Sequence, residues 1–133
     1  MDAKIWTIPE ARIKAGREHR VPLTDPAIAV LRLAKALASR SEDLAFPSQK
    51  PGRPLSDMTL SAVLKRHEIA VTVHGFRSTF RDWAEEATSY PFKAKEAALA
   101  HTVKDKTERA YRRSDLFEVR RDMMRDWADH VVG

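Results

Sequence analysis

Residues 71–83 read Val-Thr-Val-His-Gly-Phe-Arg-Ser-Thr-Phe-Arg-Asp-Trp, and no other stretch restricts the fold as tightly. A short β-prone run ends at His74-Gly75 and a helical pattern begins at once. Phe76, Phe80, Trp83 and Ala87 recur at three- and four-residue spacing, which predicts one buried helical face. Thr72 or His74 serves the cap, and Gly75 tolerates the sharp change of direction. His74 and Arg77 sit three apart, so their side chains can converge on one ligand across the first turn. Outward-pointing amides and the helix dipole favour an anion there, and a His, an Arg and open donors together suit a phosphate. The plainer alternative is a core helix with a capping His and a solvated Arg.

The flanking pattern is mostly helical. Ala3 to Pro9 and His19 to Leu23 read as two short strands, forming an antiparallel hairpin with Lys14 near its tip. A lone hairpin is marginal in water, so it must pack on something else. Asp25 as N-cap and Pro26 at the first position start a helix to about Ser39, with Ile28, Leu31, Leu33, Ala34 and Leu37 inward. Ser41 to Pro54 is a loop. Ser56 caps a helix ending near Glu68, whose apolar side is Leu60, Val63 and Leu64. The central helix covers about Gly75 to Thr88, and Tyr90-Pro91 breaks it. Pro91 opens a further helix to about Ala100, with Phe92, Ala98 and Leu99 inward. Another is predicted from about Asp105 to Arg113, and a last one carries Leu116, Val119, Met123, Trp127 and Val131 as its apolar stripe. The expected class is α+β, mainly α, with a hairpin over 1–24, a helical core over 25–113 and a C-terminal helix over 114–133.

Hydrophobic residues make up 43% and charged residues 32%, so 133 residues suffice for one domain with a modest core. No apolar run approaches membrane-spanning length, and Met1-Asp2-Ala3-Lys4-Ile5-Trp6 has no signal-peptide pattern. Cysteine is absent, which excludes disulfides and thiolate metal sites and fits a reducing cytoplasm. The net charge of +5 favours a polyanionic partner, because each phosphate neutralised releases condensed counterions.

Lys14, His74, Arg77, His101 and Tyr111 are the candidates for chemistry. Singly, each has an ordinary reading: a solvated turn lysine, a cap, a surface arginine, a helix C-cap favoured by the dipole, a core-edge phenol. As an ordered set they are more specific. With Arg17-Glu18-His19-Arg20-Val21-Pro22-Leu23, Leu55-Ser56-Asp57-Met58, the 71–83 stretch, Ala98-Leu99-Ala100-His101 and Glu108-Arg109-Ala110-Tyr111-Arg112-Arg113, the chain resembles the catalytic domain of tyrosine recombinases, the phage-integrase family. Within it, the likeness is greatest to integrases of prophages and genomic islands, and it covers nearly the whole chain.

The resemblance implies a role for each position. Tyr111 matches the nucleophile that becomes joined to a DNA 3′ phosphate. Arg77 and His74 match the His-x-x-Arg pair on the scissile phosphate. His101 matches the second phosphate-binding His, and Lys14 matches the hairpin lysine that protonates the 5′-oxygen leaving group. It also implies no metal and no nucleotide cofactor, double-stranded attachment-site DNA as partner, oligomers in the full-length protein, and a bacterial, cytoplasmic, nucleoid-associated setting. The physical chemistry agrees. A phenol of pKa about 10 is a poor nucleophile at neutral pH without a base or a cationic setting. Arg stays charged and holds two non-bridging oxygens at once, and the histidines can donate hydrogen bonds or relay a proton.

The family carries a further catalytic arginine in a helix upstream of the hairpin. Only Met1 to Lys4 precede the first strand here, and Arg12, Arg17 and Arg20 do not match that position. The expectation is therefore the C-terminal part of a longer integrase, feeble or inactive alone, with apolar surface left open and prone to self-association. The C-terminal stripe either docks on a neighbouring subunit or folds back on its own domain. Two other classes compete: a DNA-binding remnant without catalysis, and a helical interaction module with no nucleic-acid role.

Overall fold

The computed structural model describes residues 4–13, 16–38, 44–48, 50, 52–101 and 115–133. Ile5–Ile8 (β1) and His19–Pro22 (β2) form a two-stranded antiparallel sheet, with Ile5 opposite Pro22 and Ile8 opposite His19. Both strands are shorter than expected. Pro9 ends β1 in a 3-10 turn over Glu10–Arg12, and Pro22, which lacks an N–H, ends β2. Lys14 lies outside the described residues, as does the helix expected over residues 105–113.

Five α-helices follow among the described residues. The first, Asp25–Leu37 (α1), has Thr24 rather than Asp25 at its N-cap position, without a side-chain capping bond, and Pro26 in the first turn, where its missing N–H costs no helical bond. Of its expected inward residues only Ile28 is buried; Leu33 is 61% and Leu37 73% exposed. The second, Thr59–Arg66 (α2), likewise presents Leu60 and Val63 to solvent, with Leu64 half-buried. Ser56 closes the turn before it: its Oγ accepts from the Met58 N–H at 3.3 Å and its carbonyl from the Thr59 N–H at 2.9 Å.

Residues 71–73 form no strand, and Val71 and Val73 are exposed. The third helix, Gly75–Glu86 (α3), buries Phe80 and Ala84 and half-buries Trp83, whereas Phe76 and Ala87 face out. The buried stripe is thus rotated from the expected one. Pro91 does open the fourth helix, Phe92–Ala98 (α4). Its inner side is Ala94, Lys95 and Ala97, continued by Leu99 beyond its end, while Phe92 is exposed.

The last helix, Phe117–Val132 (α5), folds back on its own domain. Its Met123 is wholly buried against Phe80 and Leu99, with Trp83, Tyr90, Ala98, Met124 and Trp127 packed around them. Phe80 meets Trp127 edge to face at 5.4 Å, and His130 stacks on Trp83 at 5.8 Å. The Tyr90 hydroxyl donates to Asp126 Oδ2 at 2.6 Å. That bond, helped by burial and the carboxylate's charge, pushes the phenol up to about 12. Val131, expected inward, is exposed.

The core is small. Apolar sides of α1, α2 and the start of α3 lie uncovered, with Leu33, Leu37, Leu60 and Phe76 exposed.

Candidate active site

The start of α3 is built by Thr72. Its hydroxyl and its carbonyl both accept from the Gly75 N–H at 3.0 Å, so Thr72 supplies the capping side chain and His74 does not. Gly75 is not in the left-handed region. What its missing Cβ permits is close approach, since a Cβ there would lie 3.3 Å from the Thr72 hydroxyl. The amides of Gly75 and Arg77 are taken by Thr72 and by the His74 carbonyl. The expected row of open donors is therefore partly used, and any anion here would be held chiefly by side chains. His74 and Arg77 share this turn and are both exposed.

Arg77 reaches across to α4, where its Nη2 donates to the Leu99 carbonyl, 22 residues away in sequence. This bond uses one of five guanidinium donors and orients the rest. Beyond Leu99, the backbone closes α4 with a Schellman turn: Ala100 N–H to Ala97 O at 3.1 Å and His101 N–H to Glu96 O at 3.0 Å. Ala100 takes the left-handed position at φ 52°, a conformation that costs a non-glycine residue roughly 1 kcal/mol. The turn delivers His101 two residues past the carbonyl that Arg77 holds. Arg77 is thus tied to the backbone two residues before His101, with His74 one turn behind Arg77 on α3.

His101 also lines a cleft between the hairpin, the end of α4 and the start of α5. Its cations are Arg17, Arg20 and Arg120, beside His19, and its acids are Glu18 and Asp115. Tyr111 and Lys14 lie outside the described residues. Ile13, Arg17 and Asp115 line this cleft. The sequence reading missed the cleft cations. The signal for Arg17 and Arg20 was a cluster of basic residues through 17–20, which reads equally well as a solvated strand; Arg120 had no such signal.

The cleft wall is an ionic joint between β2 and α5. Arg20 holds both oxygens of Asp115, with Nε to Oδ2 at 3.0 Å and Nη2 to Oδ1 at 2.8 Å. Arg120, 1% exposed, donates to Asp115 Oδ2 at 3.0 Å, to the Asp115 carbonyl at 2.8 Å and to the Arg20 carbonyl at 2.7 Å. Arg20 also lies over the buried Phe117 ring, 4.6 Å from its centroid.

Burial alone would raise Asp115, but the Arg20 hydrogen bond and the charges of Arg120 and Arg20 prevail and hold it below the ordinary 3.8. His19 is lowered from 6.5 by burial first, then by Arg120, with Asp115 opposing. Both depressed groups bind fewer protons folded than unfolded, so each contributes stability at high pH that acid removes. The His19 share is complete above pH 6.5 and lost as pH falls through its lower folded value. The Asp115 share survives to more acid pH and goes below 3.8. The urea midpoint is therefore expected to drop between pH 7.5 and 5.5, and His19→Gln to flatten that first stage. An identical midpoint at both pH values contradicts the assignment.

Comparison with known proteins identifies the family. The model of the phage integrase family matches residues 1–116. Prophage integrase IntA of Escherichia coli K12 is 44% identical over 133 residues, covering 98% of this chain and 32% of the relative. Prophage integrase IntZ of the same strain is 33% identical over 132 residues, with the same 98% and 32% coverage. The integrase of Shigella phage Sf6 is 27% identical over 129 residues, covering 95% of this chain and 33% of its own. The chain thus spans about a third of the length of the curated relatives it matches. No solved structure matches it. By the extent of the family match and by its identity to IntA, this chain belongs to the phage integrase family.

Proposed function

We propose that the chain supplies much of the catalytic centre of a site-specific DNA recombinase. The Tyr111 oxygen bonds to the phosphorus of a DNA phosphodiester as the bond to the 5′ oxygen breaks. The phenolic proton leaves to a base, Lys14 protonates the departing oxygen, and the 3′ phosphate stays on Tyr111. Arg77, His74 and His101 hold the non-bridging oxygens and offset the charge that grows on them. The phosphotyrosine conserves the bond for rejoining, so neither metal nor ATP takes part. Double-stranded DNA is the partner, and the uncovered apolar faces suit assembly of the full-length protein into oligomers.

The observation that carries this reading is the convergence at the end of α4. Arg77 holds the Leu99 carbonyl, His101 follows two residues later, and His101 lines a basic cleft with Arg17, Arg20 and Arg120. The test is a covalent adduct. A nicked duplex carrying the attachment site traps the intermediate, and digestion should recover the phosphorylated peptide at residue 111. Residues 1–133 hold no match to the family's upstream arginine, so they are expected to cleave weakly or not at all alone. The assay therefore uses the longest in-frame polypeptide that carries them.

In that polypeptide Arg77→Ala is expected to slow cleavage by roughly 100-fold or more. Arg77→Lys should recover little, because a point charge cannot replace a planar fork. Cleavage within a few-fold of the parent would remove Arg77 from the centre. A non-catalytic DNA-binding remnant is the second reading, favoured by the +5 charge. It expects salt-sensitive duplex binding with no nicking under any condition.

A further inference from the structure

The catalytic reading leaves one well-built feature unused. Arg77, Arg81 and Glu85 are spaced by four along α3, so they form a polar stripe. Each has a partner on α4 or just past it: Arg77 the Leu99 carbonyl, Arg81 the Glu96 carboxylate at 3.4 Å, and Glu85 the buried Lys95 ammonium at 3.0 Å. Glu96 is the centre of this row. Its backbone carbonyl accepts the His101 N–H at 3.0 Å, and its Oε2 lies 2.7 Å from His101 Nδ1. One residue therefore grips His101 twice, once by backbone and once by side chain. The Glu96 side chain is 18% exposed, against 34% for the imidazole and 44% for Arg81. A carboxylate more buried than the ring it holds is unlike a surface ion pair, which solvent weakens.

We propose that Glu96, steadied by Arg81, is the positioning residue for His101. A carboxylate accepts and does not donate, so Nδ1 must carry the proton. Nε2 is then the nitrogen turned to the phosphate: in the neutral ring it holds the lone pair, and it donates to a phosphate oxygen when the ring carries its second proton. The stripe fixes Arg77 and His101 from the same helix face, so both donors toward the phosphate are set by how α3 lies along α4. The inference rests on the recombinase reading for what Nε2 meets; the link from Glu96 to the tautomer does not.

The test separates the two. Nitrogen-15 spectra of the histidine rings in the 133-residue chain, with His101 assigned by the His101→Gln spectrum, report the tautomer directly. The native ring should show Nδ1–H. Glu96→Gln, which keeps an acceptor, should retain it, and Glu96→Ala should release the ring toward Nε2–H. Arg81→Ala, at a half-exposed side chain, should give a mixed population. Binding to a 20-base-pair duplex at low salt then reads the consequence. His101→Ala should weaken it roughly tenfold, Glu96→Ala roughly threefold, and the double variant no more than His101→Ala alone. An unchanged tautomer in Glu96→Ala overturns the proposal, as does a Glu96→Ala loss that persists in full without His101. A ring that stays wholly Nδ1–H in Arg81→Ala overturns the part assigned to Arg81. Should the tautomer respond as expected while His101→Ala binds duplex like the parent, it is the phosphate role of His101 that falls.

Discussion

Arg120→Ala is expected to lower the unfolding free energy by about 3–5 kcal/mol, the range for removing one partner of a buried charged network. Native domains of this size hold only about 5–15 kcal/mol in total, so the variant should populate unfolded chains at room temperature. The melting temperature should fall by roughly 10 °C or more. The cause is less the ion pair than the carbonyls. Asp115 is 40% exposed, so solvent screens its attraction to the arginines. The carbonyls of Asp115 and Arg20 each accept a hydrogen bond from the wholly buried guanidinium, at 2.8 and 2.7 Å. Alanine strips both of that donor and leaves a void beside Phe117. Arg120→Met should fill the void without serving the carbonyls. Arg120→Lys should serve at most one of the three acceptors that the fork spans. The expected order is wild type, Lys, Met, Ala, read from urea transitions by circular dichroism. A loss under about 1 kcal/mol for alanine would mean that β2 and α5 are not joined through this side chain.

Arg120 also marks where the sequence became illegible. A cation in the first turn of an amphipathic helix reads as solvated, and its acceptors include a carbonyl 100 residues earlier. No local pattern points that far. The same limit hides the α3 stripe. Periodicity located Phe80 and Trp83, which do pack on Met123 and Trp127, because apolar spacing tells which side of a helix seeks cover. It does not tell whether cover exists: Leu33, Leu37, Leu60 and Phe76 obey the spacing and lie exposed. Nor does it reveal a polar side that finds partners, and so Lys95, at 6% exposure, and Glu96 were missed. The hairpin and the break at Pro91 were legible because β-branched runs and proline act locally. For the site, the likeness to integrases picked out the residues. That Arg77 is tied to Leu99, two residues before His101, rests on one carbonyl and on the left-handed alanine between them, neither of which a residue list encodes.

The largest expected effect on function is at Tyr111. Tyr111→Phe removes the phenol oxygen proposed to join the DNA and should abolish the covalent adduct, with no residual signal above background. Residual adduct is the natural worry, because a neighbouring phenol can substitute when a nucleophile is deleted. The chain has only one other tyrosine, Tyr90. Its hydroxyl is committed to Asp126 at 2.6 Å and its phenol is raised to about 12, both of which make it a worse nucleophile than a free phenol near 10. It is also built into the packing of α5 on the core and does not line the basic cleft. Tyr90→Phe should therefore cost some stability yet leave the adduct intact, while Tyr111→Phe should leave the fold intact and destroy the adduct. The two variants cross over on two readouts, which a general loss of folding cannot mimic. Adduct persisting in Tyr111→Phe and vanishing in Tyr90→Phe would move the chemistry to the other side of the core and dismantle the proposed centre.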